Sequence, residues 1–382
     1  MKRILHVVSS VDPALGGVAE SIRSRGVKLV EMGHTVEVVS LDDPAAPFVA
    51  NYPLKLHPLG HGCTAWQYHT GLVPWLRAHA ERFDAVVVDG LWQFHGLAAR
   101  TVLAGSSVPY YVFTHGMLDP WFNRTYPLKC LKKWLFWPWA DYRVLRDARA
   151  VLFTCEEEKL LARQSFWLYR ANERLAPLGT TEPPAHGAAL AEGFRQTHPQ
   201  LRGQPFFLFL GRLHPKKGCD LLLGAFAQVA HAHPAQQLVM AGPSEASYLA
   251  ALQAQAKALG IEYRVHWTGM LKGDAKWGAL YACDAFVLPS HQENFGIAVV
   301  EALACAKPVL ISDKVNIWRE IAQDGCGLIE PDTLAGTTHL LRDWLNLPNA
   351  GRAAMAAQAR QTFDQRYTVQ ASANALLGAL AA

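Results

Sequence analysis

The 382-residue chain holds no uninterrupted apolar run near the roughly 18–20 residues that a membrane-spanning helix needs. It is short of charge as well, with Asp, Glu, Lys and Arg making up 18% of it, against about 25% in an ordinary globular protein. Hydrophobic residues reach 51%. That excludes a disordered or fibrous chain and leaves apolar material for two cores, at about 150 residues per domain. The excess of 36 basic over 32 acidic residues is only +4, which gives no footing for nucleic acid. Cysteines Cys63, Cys130, Cys155, Cys219, Cys283, Cys305 and Cys326 are odd in number, scattered, and never spaced Cys-x-x-Cys. Neither a disulfide framework nor a structural zinc site is expected, and most of them read as small buried apolar residues. His231 and His233 sit on a helical stretch without an acidic partner, a poor metal pair. A short strand-like run follows Met1-Lys2-Arg3, and polar Ser9, Ser10 and Asp12 come at once. A signal peptide needs a longer apolar core and a small-residue cleavage site, so a cytoplasmic location is expected.

What the sequence does have is rhythm. Short β-branched or apolar runs at residues 4–8, 35–39, 85–88, 110–113 and 151–153 alternate with helical patterns, the first of them over 17–32 and closed by Gly33. The rhythm restarts at 206–210 and continues through 238–241, 265–268, 286–288 and 309–311. Strand–helix alternation implies parallel sheets with right-handed crossovers, and two series imply two doubly wound α/β domains. Pro183, Pro184, Gly187, Pro199 and Gly203 interrupt the pattern between about 180 and 204. This places domains at 1–185 and 186–365. Residues 350–382 are Ala- and Leu-rich and read as helical, and the last helix, about 366–382, is free to pack back on the first domain.

Ligands bind beyond the carboxyl ends of parallel strands, so chemistry belongs just after each strand. The first strand leads to Asp12-Pro-Ala-Leu-Gly16-Gly17 and a helix. Adjacent glycines allow close backbone approach, and a helix N-terminus favours phosphate. The pattern is neither Gly-x-Gly-x-x-Gly nor a Walker loop, and a plain tight turn remains open. The second series opens on Gly211-Arg212-Leu-His-Pro-Lys216-Lys217-Gly218, a planar donor fork beside mobile point charges, suited to a diphosphate or simply a solvated basic turn. Ser290-His-Gln-Glu293-Asn294-Phe295-Gly296-Ile297 follows the strand at 286–288, with Glu301 in the second turn of the next helix. On a continuous helix Glu293 and Glu301 would lie about 12 Å apart. Paired glycosidase carboxylates lie at roughly 5–9.5 Å, which disfavours acid/base hydrolysis. Carboxylates there can accept hydrogen bonds from sugar or ribose hydroxyls, and a buried capping role for Glu301 also remains open.

Together, Gly16-Gly17, Gly211-Arg212-x-x-x-x-Lys217-Gly218, and Glu293-x-Phe295-Gly296 followed by Glu301 resemble the retaining glycosyltransferases of family 4. The resemblance runs over nearly the whole chain. It implies the GT-B fold, two facing Rossmann-like domains with a ligand cleft between them, and a nucleotide-diphosphate sugar as donor. Arg212 and Lys217 would hold the diphosphate and neutralise the leaving group. Glu293 and the amides of Asn294, Phe295, Gly296 and Ile297 would hold the donor sugar, and Glu301 the ribose. Backbone at Thr268, Gly269, Met270 and Leu271 would meet the base. Gly16 and Gly17 would border the diphosphate and the incoming hydroxyl, and His115, in Thr114-His115-Gly116, would lie beside the donor sugar or simply pack. No cofactor or metal is expected, since no Asp-x-Asp motif suited to Mg²⁺ is present. The acceptor would be a glycan or a lipid-linked sugar, and the pathway assembly of a surface polysaccharide. One departure from the family is Lys314-Val-Asn-Ile-Trp318-Arg319-Glu320-Ile, where many members carry a Gly-rich loop. A nucleotide-sugar 2-epimerase of the same fold and a non-catalytic nucleotide-sugar-binding subunit are the alternatives.

Twelve tryptophans stand out, four of them between Trp121 and Trp139. From Trp121 to Arg149 there are seven basic residues (Arg124, Lys129, Lys132, Lys133, Arg143, Arg146, Arg149) against Asp141 and Asp147. Interleaved with Trp, Tyr126 and Phe136, this suits a helix on a membrane surface, a core helix with a wet basic face, or an aromatic platform for an acceptor sugar.

Overall fold

The structure is a computed structural model that describes residues 1–125 and 127–381. Tyr126 and the side chains of Arg124, Pro127, Lys129 and Cys130, all within the span of the basic aromatic strip, lie outside the described residues.

Two sheets form. The first contains β1 (Arg3–Val7), β2 (Thr35–Ser40), β3 (Lys55–Pro58), β4 (Ala85–Asp89), β5 (Tyr110–Phe113), β6 (Ala150–Phe153) and β7 (Glu173–Leu175) in the order β3-β2-β1-β4-β5-β6-β7. The second contains β8 (Phe206–Leu210), β9 (Gln237–Ala241), β10 (Val265–Gly269), β11 (Ala285–Leu288), β12 (Val309–Ser312) and β13 (Gly327–Glu330) in the order β10-β9-β8-β11-β12-β13. Every strand pair in both is parallel. Helices cover both faces of such sheets, so central strands read as unbroken apolar runs. All residues of β4, β5, β6, β8, β11 and β12 are buried accordingly.

All ten expected strands lie within one residue of those observed. The three that the sequence did not announce, β3, β7 and β13, are sheet-edge strands. Their residues are only half-buried or exposed, so Lys55-Leu-His-Pro58 and Glu173-Arg-Leu175 never needed an apolar run. The expected helix over 17–32 is Gly17–Glu31.

The chain clusters into two compact units, Met1–Thr180 with the segment from Val369 onward, and Thr181–Thr368. The first unit ends five residues before the 185/186 boundary read from the sequence. Glu182 and Pro184 already belong to the second unit, because Arg360 donates to Glu182 Oε2 at 2.8 Å and the Tyr281 hydroxyl to the Pro184 carbonyl at 2.8 Å. The helix Val369–Ala381 returns to the first unit and packs on Gly17–Glu31. Ala373 and Leu376 are fully buried there, the Ser372 hydroxyl donates to the Pro177 carbonyl at 2.8 Å, and Tyr111 donates to the Leu380 carbonyl at 3.1 Å.

The returning helix is therefore part of the first core. Leu376→Ala should lower stability by about 2–5 kcal/mol, the usual cost of emptying a leucine site. A shifted urea midpoint checks this, with Leu259→Ala at a 40% exposed position as control.

Candidate active site

Both sheets reverse their strand order at one point, between β1 and β4 in the first and between β8 and β11 in the second. Loops leaving neighbouring strands diverge there, which opens a crevice at the carboxyl edge. The sequence motifs fall on those loops.

In the second unit the loop 211–218 leaves β8 and turns through a 3₁₀ turn, Pro215–Lys217, into the helix Cys219–Ala230. His214 Nδ1 accepts from the Lys216 amide at 3.1 Å and shapes that turn. Gly218 sits at φ +64°, and a Cβ there would lie 2.1 Å from the Pro289 carbonyl oxygen, so only glycine lets the two loops approach. The Lys216 carbonyl accepts from the Ser290 hydroxyl at 3.0 Å and the His291 amide at 2.8 Å, while Lys216 Nζ donates to Gln292 Oε1 at 2.7 Å. These bonds present Lys217 directly to Glu293, and the two form an ion pair. Burial, with the cations of Lys216 and Arg212 nearby, pushes the Lys217 ammonium down to about 8. Arg212 is exposed and makes no hydrogen bond or ion pair among the described residues.

After Glu293 the chain enters the helix Ile297–Ala304 through Gly296 at φ +73°. Phe295 is buried edge-on against Tyr367, with ring centroids 5.7 Å apart, so its side chain is core and only its backbone is offered. The amides of Phe295, Gly296, Ile297 and Ala298 donate to no protein acceptor among the described residues, leaving a set of donors with the helix's partial positive charge behind them. The loop that departs from the family pattern braces this turn. The Lys314 carbonyl accepts from the Glu293 amide at 2.9 Å, the Asn316 amide donates to the Glu293 carbonyl at 2.9 Å, and Asn316 Nδ2 donates to Asn294 Oδ1 at 3.3 Å.

Glu301 is nearly buried and accepts from Lys276 Nζ at 2.6 Å. Lys276, on the helix Gly273–Ala282 that follows β10, was not singled out in the sequence because nothing in its local pattern marks it. Thr268 and Gly269 close β10, with Gly269 at φ +68°, and Met270 is 55% exposed just before Leu271. The edge of the second sheet thus carries Arg212, Lys217, Glu293, the free amides, and residues 268–271.

In the first unit Gly16 lies at φ +86°, and it and Gly17 are exposed at the N-terminus of Gly17–Glu31. His115 lies after β5 with φ +48°, a strained position for a residue with a Cβ. Two carboxylates hold it. Asp89 Oδ1 accepts from His115 Nε2 at 3.0 Å, and Glu158 Oε1 accepts from the Thr114 hydroxyl and the Gly116 amide, each at 2.6 Å. The His115 side chain is only 4% exposed, and its ring stacks on Phe113 at 4.4 Å. Asp89 was missed in the sequence because it closes an apolar strand and reads as the start of a turn. It is fully buried, and its other oxygen accepts from His6 Nδ1 at 2.6 Å. Burial disfavours its charge, yet His6 and His115 outweigh that and hold the carboxyl well below the usual range. Arg25, also fully buried, faces the Phe113 ring at 4.8 Å without a hydrogen bond among the described residues. Burial pushes it down to about 10, and the field of Asp89 resists.

The basic aromatic strip divides. Trp137 is fully buried, stacked on Phe166 at 4.3 Å, and Trp134 meets the same ring at 5.4 Å. Trp137 is core and Trp134 packs half-buried against it, while Leu128, Leu131 and Leu135 of the helix Pro127–Phe136 are exposed.

Asp89 is thus the countercharge that makes a buried arginine tolerable. Asp89→Asn should cost about 3–5 kcal/mol, the usual loss when a buried charge is left alone. Pairing it with Arg25→Met should restore part of that loss, as read in a denaturation double-mutant cycle. Because the carboxyl is depressed, its contribution is present above about pH 4 and fades as acid protonates it.

Residues 16–179 match the family model described as Glycosyl transferase 4-like domain, and residues 192–362 the model Glycosyl transferases group 1. A GDP-mannose-dependent alpha-(1-6)-phosphatidylinositol dimannoside mannosyltransferase of Mycobacterium tuberculosis is 28% identical over 274 residues, covering 71% of this chain and 68% of that one. An uncharacterised glycosyltransferase of Methanocaldococcus jannaschii is 30% identical over 146 residues, 37% of each chain. The matches span 27% to 42% of the length of the first curated relatives. Among solved structures, Anabaena HepE in complex with UDP superposes with a TM-score of 0.77 at 18% identity, over 99% of both chains, a likeness of fold. The two matched segments follow the two sheets in order, and the chain belongs to the family 4 glycosyltransferases of GT-B fold.

Proposed function

We propose that the protein transfers a sugar from a nucleotide-diphosphate sugar to a hydroxyl of a glycan or lipid-linked acceptor, with retained anomeric configuration and without a metal. The observation that carries this reading is the tied pair of loops at the β8/β11 switch point. It sets Arg212, Lys217 and the amides of Phe295, Gly296, Ile297 and Ala298, which have no acceptor among the described residues, at one sheet edge. That is a built receptor for a diphosphate and a polar ring substituent. The UDP held by HepE and the phosphatidylinositol dimannoside named for the mycobacterial relative support the donor and acceptor classes. Assembly of a surface polysaccharide is the cellular role that suits such an acceptor.

On this reading Arg212 and Lys217 bind the diphosphate, Glu293 and the amides of Asn294, Phe295, Gly296 and Ile297 orient the sugar, and Glu301 takes the ribose hydroxyls. Backbone at Thr268, Gly269, Met270 and Leu271 meets the base. In the first unit Gly16, Gly17 and His115 serve the diphosphate, the incoming hydroxyl and the sugar. The bond from the anomeric carbon to the phosphate oxygen breaks, and the nucleoside diphosphate leaves with both electrons. The acceptor oxygen bonds to the anomeric carbon on the same face, and its proton passes to the departing phosphate. Cations and amides lower the barrier because negative charge on that phosphate grows toward the transition state.

Thermal shift with UDP-, GDP- and ADP-sugars should select one base. Turnover of that donor, followed by ¹H NMR, should give a product anomer matching it and proceed unchanged in EDTA. An inverted anomer or abolition by EDTA refutes the mechanism. The pH dependence is a separate expectation. A lysine lowered to about 8 is charged below that pH and neutral above it. Affinity for UDP should therefore fall as pH rises through about 8 and stay level in Lys217→Arg, whose guanidinium keeps its proton. Isothermal titration between pH 7 and 9.5 measures both.

A further inference from the structure

The helix Pro127–Phe136 is anchored by one side and idle on the other. At about 100° per residue, Leu128, Leu131, Lys132 and Leu135 share a side, with Trp134 and the following Trp137 turned away from it. The tryptophans pack on Phe166, and Trp137 Nε1 donates to the Leu168 carbonyl at 2.6 Å. The leucines stay in solvent, with Leu128 82%, Leu131 62% and Leu135 68% exposed. Trp139 and Trp167 add exposed aromatic surface, the second of them next in sequence to the Phe166 that anchors the helix. Trp139 adjoins the leucine row, its Nε1 donating to the Leu135 carbonyl at 2.8 Å, and exposed leucine and tryptophan together on a chain with two well-filled cores make a contact surface.

Charge selects the occupant. Both acids between residues 121 and 149 are engaged internally. Asp141 is buried and accepts from the Trp92 amide at 3.0 Å, and Asp147 is gripped by Arg100 and Arg146. What this segment shows to solvent is basic, with Lys132 exposed in the leucine row itself and Arg143 exposed nearby in sequence. A second copy of the same surface would set Lys132 against the like charge of its partner on closing. Among the described residues no helix is long and apolar enough to cross a membrane, so a lipid contact here is with one leaflet. We propose that the leucine row of Pro127–Phe136, with Trp139 and Trp167, docks on an anionic phospholipid surface. The leucines and tryptophans enter the acyl boundary and Lys132 stays among the headgroup phosphates. None of the residues proposed to meet the donor lies on this helix or at Trp139 or Trp167, so lipid and donor binding are separable.

Co-sedimentation with phosphatidylcholine vesicles, with and without a quarter phosphatidylglycerol, tests this on the full chain. Wild-type protein should partition to the mixed vesicles, less so at high salt, and poorly to phosphatidylcholine alone. Leu131→Ser/Leu135→Ser should reduce partition at least about tenfold, and Lys132→Glu should reduce it as well. Melting temperature and the thermal shift given by UDP should be unchanged in both, which separates lost docking from lost folding. Absence of wild-type binding at any phosphatidylglycerol content overturns the proposal. So does undiminished binding by the well-folded serine variant. A wild-type dimer in analytical ultracentrifugation that the serine variant dissolves also overturns it, by assigning the surface to a second copy.

Discussion

Every strand in each sheet runs parallel, and the placement of chemistry on this chain follows from that one constraint. Parallel strands put all their carboxyl ends on one edge and need long helical returns on the faces. The faces are largely consumed by packing, so polar groups that solvent can reach gather at the edge. A doubly wound order then parts the loops at one place in each sheet. The β8/β11 gap receives the loops 211–218 and 289–296, and the β1/β4 gap receives Gly16-Gly17 and Asp89. Glycines are needed where those loops come closest. At Gly218 the Pro289 carbonyl already occupies the space of a side chain.

The two gaps hold different kinds of charge. In the first unit, Asp89, His6 and Arg25 are sealed from solvent. Their interactions are strong in a low dielectric, but so is the cost of bringing them there. Such a cluster suits the fixing of geometry, and what it fixes is His115 in a left-handed conformation, with Glu158 holding the Thr114 hydroxyl on one side and the Gly116 amide on the other. In the second unit, Arg212 is exposed and Lys217 with Glu293 is half-open. Charges that water can reach are the ones that a ligand can reach.

Central strands were legible because burial on both faces demands apolar runs, as at Phe206–Leu210. Edge strands such as Lys55–Pro58 carry no such demand and left no trace. The loop motifs were legible by spacing after a strand, but their partners were not. Lys276 and Asn316 reach Glu301 and Asn294 from elements far along the chain, a closeness that only the fold creates. The departure at Lys314-Val-Asn-Ile from the family's Gly-rich loop left phosphate and sugar contacts there open in the sequence, and in the structure it is a brace for Glu293. The tryptophan strip stayed open between a membrane surface, a core helix and an aromatic platform because composition has no sides. A helix does: Trp134 and the following Trp137 pack on Phe166, while Leu128, Leu131 and Leu135 are exposed.

The ion pair between Lys217 and Glu293 gives the second unit a resting state. A lysine buried beside two other cations is costly to keep charged, and the Glu293 carboxylate offsets that cost while no ligand is bound. On the proposed reading, a diphosphate brings more negative charge than one carboxylate and takes over the ammonium. Glu293, held by its backbone bonds to Lys314 and Asn316, stays in place with its oxygens released. Those oxygens are then acceptors for a sugar hydroxyl beside the phosphate just bound. One exchange of partners thus makes the sugar subsite depend on the diphosphate subsite, and a free sugar arriving without its nucleotide meets a carboxylate already engaged.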